Sequence, residues 1–131
     1  MFEIKTIMHK NVFTVGIDTP IYDAMRILIE RKISGLPVVD AQNKLLGIIS
    51  EKDMLKLLFD HEIRTKQTVA DYMTKDVKSF TPDASAITLC EFFINHPFRR
   101  VPIVENGCLA GIVSRRDIID LILKIRGQKK Q

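Results

Sequence analysis

The feature that most constrains this chain is that it is written twice. Leu36-Pro37-Val38-Val39-Asp40 returns 65 residues later as Val101-Pro102-Ile103-Val104-Glu105. Gly47-Ile48-Ile49-Ser50-Glu51-Lys52-Asp53 returns 64 residues later as Gly111-Ile112-Val113-Ser114-Arg115-Arg116-Asp117, the turn between the two motifs being one residue shorter. Upstream, Met8, Val12 and Asp18 match Met73, Val77 and Asp83. The copies divide the chain at 1–65 and 66–131. A repeat must form the same supersecondary unit each time, and a unit this small buries too little surface to be comfortably stable alone. The expectation is one pseudo-twofold module in which the two copies pack sheet to sheet around a shared core.

Each copy reads as β-α-β-β-α, an α+β arrangement. A lead segment (Ile4–Met8, Val69–Met73) precedes a short strand around Val12–Val15 or Val77–Phe80. In the helix that follows, Thr19 is expected as N-cap and Pro20 at the first helical position, where its missing N–H costs nothing. Ile21, Ala24, Met25, Leu28 and Ile29 then form one apolar stripe, as do Ala86, Leu89, Cys90, Phe93 and Ile94. Two apolar strands come next. They are joined by Ala41-Gln42-Asn43-Lys44 in the first copy and by Asn106-Gly107 in the second, a strong hairpin signal because a type I′ turn needs positive φ at both central residues. The last helix is expected over about Glu51–Phe59 and Arg115–Ile125. Residues 60–68 read as a linker, and Gly127–Gln131 as a frayed end.

Charge separates the copies. Residues 1–65 hold nine Lys/Arg and nine Asp/Glu; residues 66–131 hold eleven and seven, the whole of the net +4. The surplus includes Arg99-Arg100, Arg115-Arg116 and Lys129-Lys130, which suits a small anion or nucleic acid. No apolar run is long enough to span a bilayer, and the N-terminus has no basic-then-apolar signal pattern. Cys90 and Cys108 show no paired or metal-ligand spacing, so the chain reads as cytoplasmic, without membrane attachment or a disulfide framework. His9, His61 and His96 are scattered, with no carboxylate or cysteine at ligand spacing, and read as surface residues. No Walker loop, nucleophile triad or acid–base pair is present, so an enzyme is not expected.

The doubled Ser-x-x-Asp has two readings. One is a helix start, Ser as N-cap and the acid reaching back three residues later. The other uses the same geometry for a ligand: free helix N–H groups meet a phosphate, and the carboxylate accepts ribose hydroxyls. Gly47 and Gly111 just upstream are expected to let a ligand approach the backbone.

Met-x-x-x-Val, then Leu-Pro-Val-Val-Asp or Val-Pro-Ile-Val-Glu, then Gly-x-x-Ser-x-x-Asp, in that order and twice, resemble a tandem pair of cystathionine-β-synthase (CBS) domains. The resemblance covers nearly the whole chain and reads as a stand-alone member. It implies a cleft between the copies that takes AMP, ADP, ATP or S-adenosylmethionine as a regulatory ligand, with no other cofactor. It also implies a homodimer that acts on an unidentified regulated protein. Its motif positions assign the phosphate and ribose end to Arg99, Arg100, Ile112, Ser114, Arg116 and Asp117. The base end falls to Thr19, Ala24, Ile33 and Ser34, with core packing an equal reading for Ala24 and Ile33. A second, mirrored site would use Ile48, Ser50, Asp53, Ala84 and Phe98, but Leu89 and Arg99 replace the small Ala24 and Ser34 there, and Gly35 replaces Arg100. The rival function is a ligand-free dimerisation or protein-interaction module. Nucleic-acid binding is disfavoured, since neither a recognised motif nor an aromatic platform accompanies the basic half.

Overall fold

Each apolar hairpin of the repeat forms a two-stranded antiparallel sheet in the computed structural model, which describes residues 2–59 and 67–127. In the first, β1 (Gly35–Val39) pairs with β2 (Leu45–Ser50); in the second, β3 (Arg100–Glu105) pairs with β4 (Cys108–Ser114). Asn106 and Gly107 adopt φ of 55° and 82°, as a type I′ turn requires. The longer first turn is held by Asp40, whose Oδ1 accepts from the N–H groups of Gln42 and Lys44 at 2.8 and 2.9 Å.

The strands expected near Val15 and Phe80 reduce to single parallel bridges, Val15 to Val38 and Phe80 to Ile103. Val15 donates to the Pro37 carbonyl and accepts from Val39; Phe80 donates to the Pro102 carbonyl and accepts from Val104. The next rung back along each ladder would need an N–H from Pro37 or Pro102, and proline has none.

Helix α1 (Ile21–Arg31) buries Ile21, Ala24 and Leu28. Its N-cap is Pro20, not Thr19, because the Thr19 hydroxyl accepts from the Gly16 N–H at 3.0 Å instead. Helix α2 (Glu51–Met54) runs into a 3₁₀ segment, Leu55–Phe59, and a lead helix α3 (Val69–Tyr72) follows. Helix α4 (Ala86–Asn95) buries Ala86, Leu89 and Phe93, and α5 (Arg115–Ile122) continues as a π-helical turn, Leu123–Gly127. The last member of each expected stripe, Ile29 and Ile94, is exposed. The two long helices end differently at one repeat position. Lys32 stops α1 in the left-handed conformation, whereas Pro97 stops α4 by forcing His96 into extended backbone. Most of the expected linker (60–66) and tail (128–131) lies outside the described residues, as does His61.

The compact units cut across the sequence repeat. One is Phe13–Val77; the other joins Met1–Val12 to Lys78–Gln131. Each lead segment therefore completes the core built by the other copy's strands and helices. Val69 is fully buried in the 13–77 unit with Ile21, Leu36, Val38 and Ile49. Its repeat mate Ile4 is fully buried in the composite unit with Leu89, Val101, Ile103 and Val113. Burying one such side chain stabilises by about 1.5–3 kcal/mol, which is what holds each lead segment in place. Backbone bonds help: Ile4 N–H donates to the Ala84 carbonyl at 2.9 Å, and Val69 N–H to the Thr19 carbonyl at 2.9 Å.

Candidate functional site

Both Ser-x-x-Asp motifs fold as capping boxes at the step from the second strand of each hairpin to its helix. Ser114 donates to Asp117 Oδ2 from its backbone N–H (2.7 Å) and its hydroxyl (3.1 Å), and the Asp117 N–H donates back to the Ser114 hydroxyl. Ser50 and Asp53 make the same three bonds. The helix-start reading thus holds in both copies, and it fixes where each carboxylate stands.

The other carboxylate oxygen differs between the units. Thr74 donates its hydroxyl to Asp53 Oδ1 at 3.0 Å, while His9 Nε2 lies 2.7 Å from Asp117 Oδ1. Thr74 and His9 are repeat mates held in the same way, by paired backbone bonds to Ile48 and to Ile112. His9 is exposed, as expected, but it has a carboxylate partner that no local spacing reveals. Its partner is 108 residues away and meets it only because the lead segments are exchanged between copies. The available signal was positional, since residue 9 aligns with Thr74, immediately after the methionine of each lead segment. His96 is exposed, and its Nδ1 pairs with the Phe92 carbonyl at 2.9 Å.

His9, Arg100, Ile112, Ser114 and Asp117 line one cavity of about 220 Å³ in the composite unit. Four of these were expected from the motifs and are brought together; His9 is the addition. Arg99 and Arg116 are exposed and stand outside that lining. Asp117 accepts two bonds on Oδ2 and one on Oδ1, so Oδ1 keeps capacity for one further donor. Helix α5 begins here and is eight residues long, against four for α2. The longer run of aligned peptides favours an anion more strongly.

Gly47 and Gly111 face their own chain rather than a ligand. A Cβ on Gly111 would stand 2.7 Å from the His9 carbonyl oxygen, and one on Gly47 would collide with the Thr74 carbonyl and Met73. These glycines let the lead segment lie against the strand.

In the 13–77 unit, Ala24 has no exposed surface and packs in the core, so of its two readings the core one describes its surroundings. Ile33 is partly buried against that core, and the Ser34 carbonyl accepts the Glu51 N–H at 2.9 Å. Thr19 and Ile48 are half-buried, and Asp53 is 6% exposed. In the composite unit, Ala84 packs against the core and Leu89 is fully buried there, so Leu89 fills the core. Phe98 is about half exposed and stacks on Phe92 with ring planes 6° apart. Cys90 and Cys108 are partly buried and form no disulfide, and no cluster of metal-ligating side chains occurs among the described residues. Among those residues no helix is long and apolar enough to cross a membrane.

Comparison with known proteins places this geometry. The family model of the CBS domain matches residues 4–60 and 69–124. An uncharacterised 17.7 kDa protein of Acidianus ambivalens is 35% identical over 94% of this chain and 74% of its own length. Uncharacterised protein MJ1225 of Methanocaldococcus jannaschii is 31% identical over 91% of this chain, which spans 42% of that protein. The inosine-5′-monophosphate dehydrogenase of the same organism is 38% identical, but only 21% of that enzyme is matched. Among solved structures, CBSX2 in complex with AMP aligns with a TM-score of 0.87 at 28% identity, covering 96% of this chain and 99% of that one. The CBS domain pair of MJ0100, in complex with 5′-methylthioadenosine and S-adenosyl-L-methionine, aligns with a TM-score of 0.82 at 29% identity over 96% and 99%.

Proposed function

The chain belongs to the CBS domain family, whose domain it carries twice, and on that footing we propose that it is a regulatory module that binds an adenosine-containing ligand. The observation that carries this reading is the convergence of Arg100, Ser114 and Asp117 on one cavity at the start of α5. A guanidinium supplies forked donors for a phosphate, and a carboxylate with spare acceptor capacity suits a ribose hydroxyl. The ligands of CBSX2 and MJ0100 support the choice, because AMP, methylthioadenosine and S-adenosylmethionine share adenosine. About 220 Å³ is smaller than a whole nucleotide site, so the pocket is assigned the ribose-phosphate end. Thr19, Ala24, Ile33 and Ser34, which the family resemblance assigns to the base, belong to the 13–77 unit, and Ala24 has no exposed surface there. Arg99 and Arg116 add charge nearby in sequence. The mirrored set, Ile48, Ser50, Asp53, Ala84 and Phe98, is the weaker site, because Gly35 and Thr74 stand where Arg100 and His9 do.

The module acts by binding rather than catalysis, in the cytoplasm, as a homodimer that passes ligand occupancy to a regulated protein. A ligand that binds only the folded state stabilises it by about 2.7 kcal/mol at a hundred times its Kd. In a thermal-shift panel of AMP, ADP, ATP, S-adenosylmethionine and GTP, adenosine ligands are expected to raise Tm and GTP to leave it unchanged. A panel in which no ligand moves Tm would replace this reading with a ligand-free interaction module.

A further inference from the structure

We propose that the composite unit carries a second binding surface, an aromatic platform rimmed by cations that takes the unpaired bases of a single-stranded nucleic acid. This goes beyond the adenosine-ligand reading and does not rest on it. Phe92 and His96 lie one helical turn apart at the end of α4, so their rings stack, 4.2 Å between centres with planes 18° apart. The bond from His96 Nδ1 to the Phe92 carbonyl holds the imidazole there. Pro97 stops the helix, and Phe98 comes back to lie parallel to Phe92, 5.9 Å away with planes 6° apart. His96 and Phe98 are 6.3 Å apart. That is less than two stacking separations of about 3.5 Å each, so the two rings do not sandwich Phe92 between them. Both residues are exposed, Phe98 at 52%. The basic half therefore does carry an aromatic platform, contrary to the expectation from sequence, because the platform forms only when the chain folds back at Pro97.

Exposed cations flank the rings. Arg115 Nε–H donates to the Phe98 carbonyl at 2.8 Å, which pins that residue, and Arg99 follows it directly. On the other side, Phe80 meets Phe92 edge-on at 5.4 Å, and Lys78 Nζ stands 5.9 Å from the centre of the Phe80 ring. All of these residues belong to the composite unit. In the first copy, Ile27, Arg31 and Ile33 stand where Phe92, His96 and Phe98 do, and Phe13, Ser34 and Glu51 where Lys78, Arg99 and Arg115 do. Rings and cations thus enter together, in one copy, on one surface. Every base has a π-face and every nucleotide a phosphate, so fixed rings beside cations suit a single strand whatever its sequence. A duplex hides its base faces and meets the charges alone.

The test is fluorescence anisotropy of a labelled oligothymidylate of about twelve nucleotides, within the range of one stacking site, compared with the same strand annealed to oligodeoxyadenylate. Wild type should bind the single strand several-fold more tightly than the duplex. Raising salt from about 50 to about 200 mM should weaken that binding about twentyfold, the log–log slope of about −2 expected when three cations neutralise phosphates of a single strand. Phe98→Ala and Phe98→Leu should each lose at least about fivefold, the lower end for removing one stacked base. Phe98→Tyr, which keeps the π-face, should bind like wild type. Leu keeps an apolar contact with Phe92 and serves if the Ala variant folds poorly. Arg99→Ala, at an exposed position, should make the salt slope shallower by about 0.7. A wild-type chain that binds no single strand at the lower salt overturns the proposal. So does a duplex bound equally well, or a Phe98→Leu variant with wild-type affinity, either of which would reduce the surface to its charge. Displacement of the strand by saturating AMP would move its binding to the Arg100 pocket and overturn the proposal as well.

Discussion

Asp53 and Asp117 occupy one motif position and carry different burdens. Asp53 is buried and accepts from Ser50 twice and from Thr74 once; Asp117 keeps 15% of its side chain exposed and meets the solvated His9. Removing a buried charged acceptor leaves its donors unsatisfied. Asp53→Ala is therefore expected to lower stability by about 1.5–3 kcal/mol and Asp117→Ala by less. Urea denaturation of both variants checks the order, and a larger loss at Asp117 would contradict it. The Ser-x-x-Asp boxes were legible in the sequence because a capping box closes over three residues. Arg100, Ile112, Ser114 and Asp117 were named from the sequence because the CBS resemblance, laid on the repeated motifs, singles out those positions. His9 was not, since its role arises from a contact made across most of the chain.

At the level of elements, two positions show backbone geometry setting stability. Lys32 ends α1 at φ 56° and ψ 47°, a region that costs a residue with a β-carbon about 1 kcal/mol or more. Lys32→Gly is accordingly expected to raise the unfolding free energy by about 0.5–1 kcal/mol, the cap relief being partly offset by glycine's greater freedom in the unfolded chain. An unchanged or lower urea midpoint would contradict this. Gly111 sits where the lead segment crosses β4, and a methyl group there meets the His9 carbonyl oxygen and Met8. Gly111→Ala should cost about 1–3 kcal/mol by overpacking, and it should also weaken ligand binding by displacing His9. Loss of stability with ligand affinity intact would separate the lead segment from the site. Helices, hairpins and the I′ turn were legible from periodicity and turn residues. The collapse of the first strands to bridges was not, because the prolines matter only through which edge of β1 and β3 the bridging segment approaches.

For the whole molecule, the 65-residue period describes the sequence, but the compact units exchange their lead segments, a topology that no local pattern encodes. The apolar surface left over points to assembly. Leu55, Leu58 and Phe59 are exposed in the 13–77 unit. In the composite unit, Ile94, Ile119 and Ile122 line an open groove of about 710 Å³. Sedimentation equilibrium at roughly 10–50 µM, above the Kd expected of a specific interface, should report a species of twice the 15.0 kDa chain mass. A 15.0 kDa species there would contradict the homodimer. The central claim is that one pocket, built by Arg100, Ser114 and Asp117, holds the ribose-phosphate end of an adenosine ligand. Calorimetric titration of AMP into wild type, Arg100→Ala, Asp117→Asn and Asp53→Asn tests it most directly. One ligand per chain is expected. Arg100→Ala and Asp117→Asn should each lose about tenfold to hundredfold in affinity, corresponding to about 1.5–3 kcal/mol for a charge-assisted bond, and Asp53→Asn should change little. Two ligands per chain with equal losses at Asp53 and Asp117, or an Arg100→Ala variant that binds AMP like wild type, would contradict it.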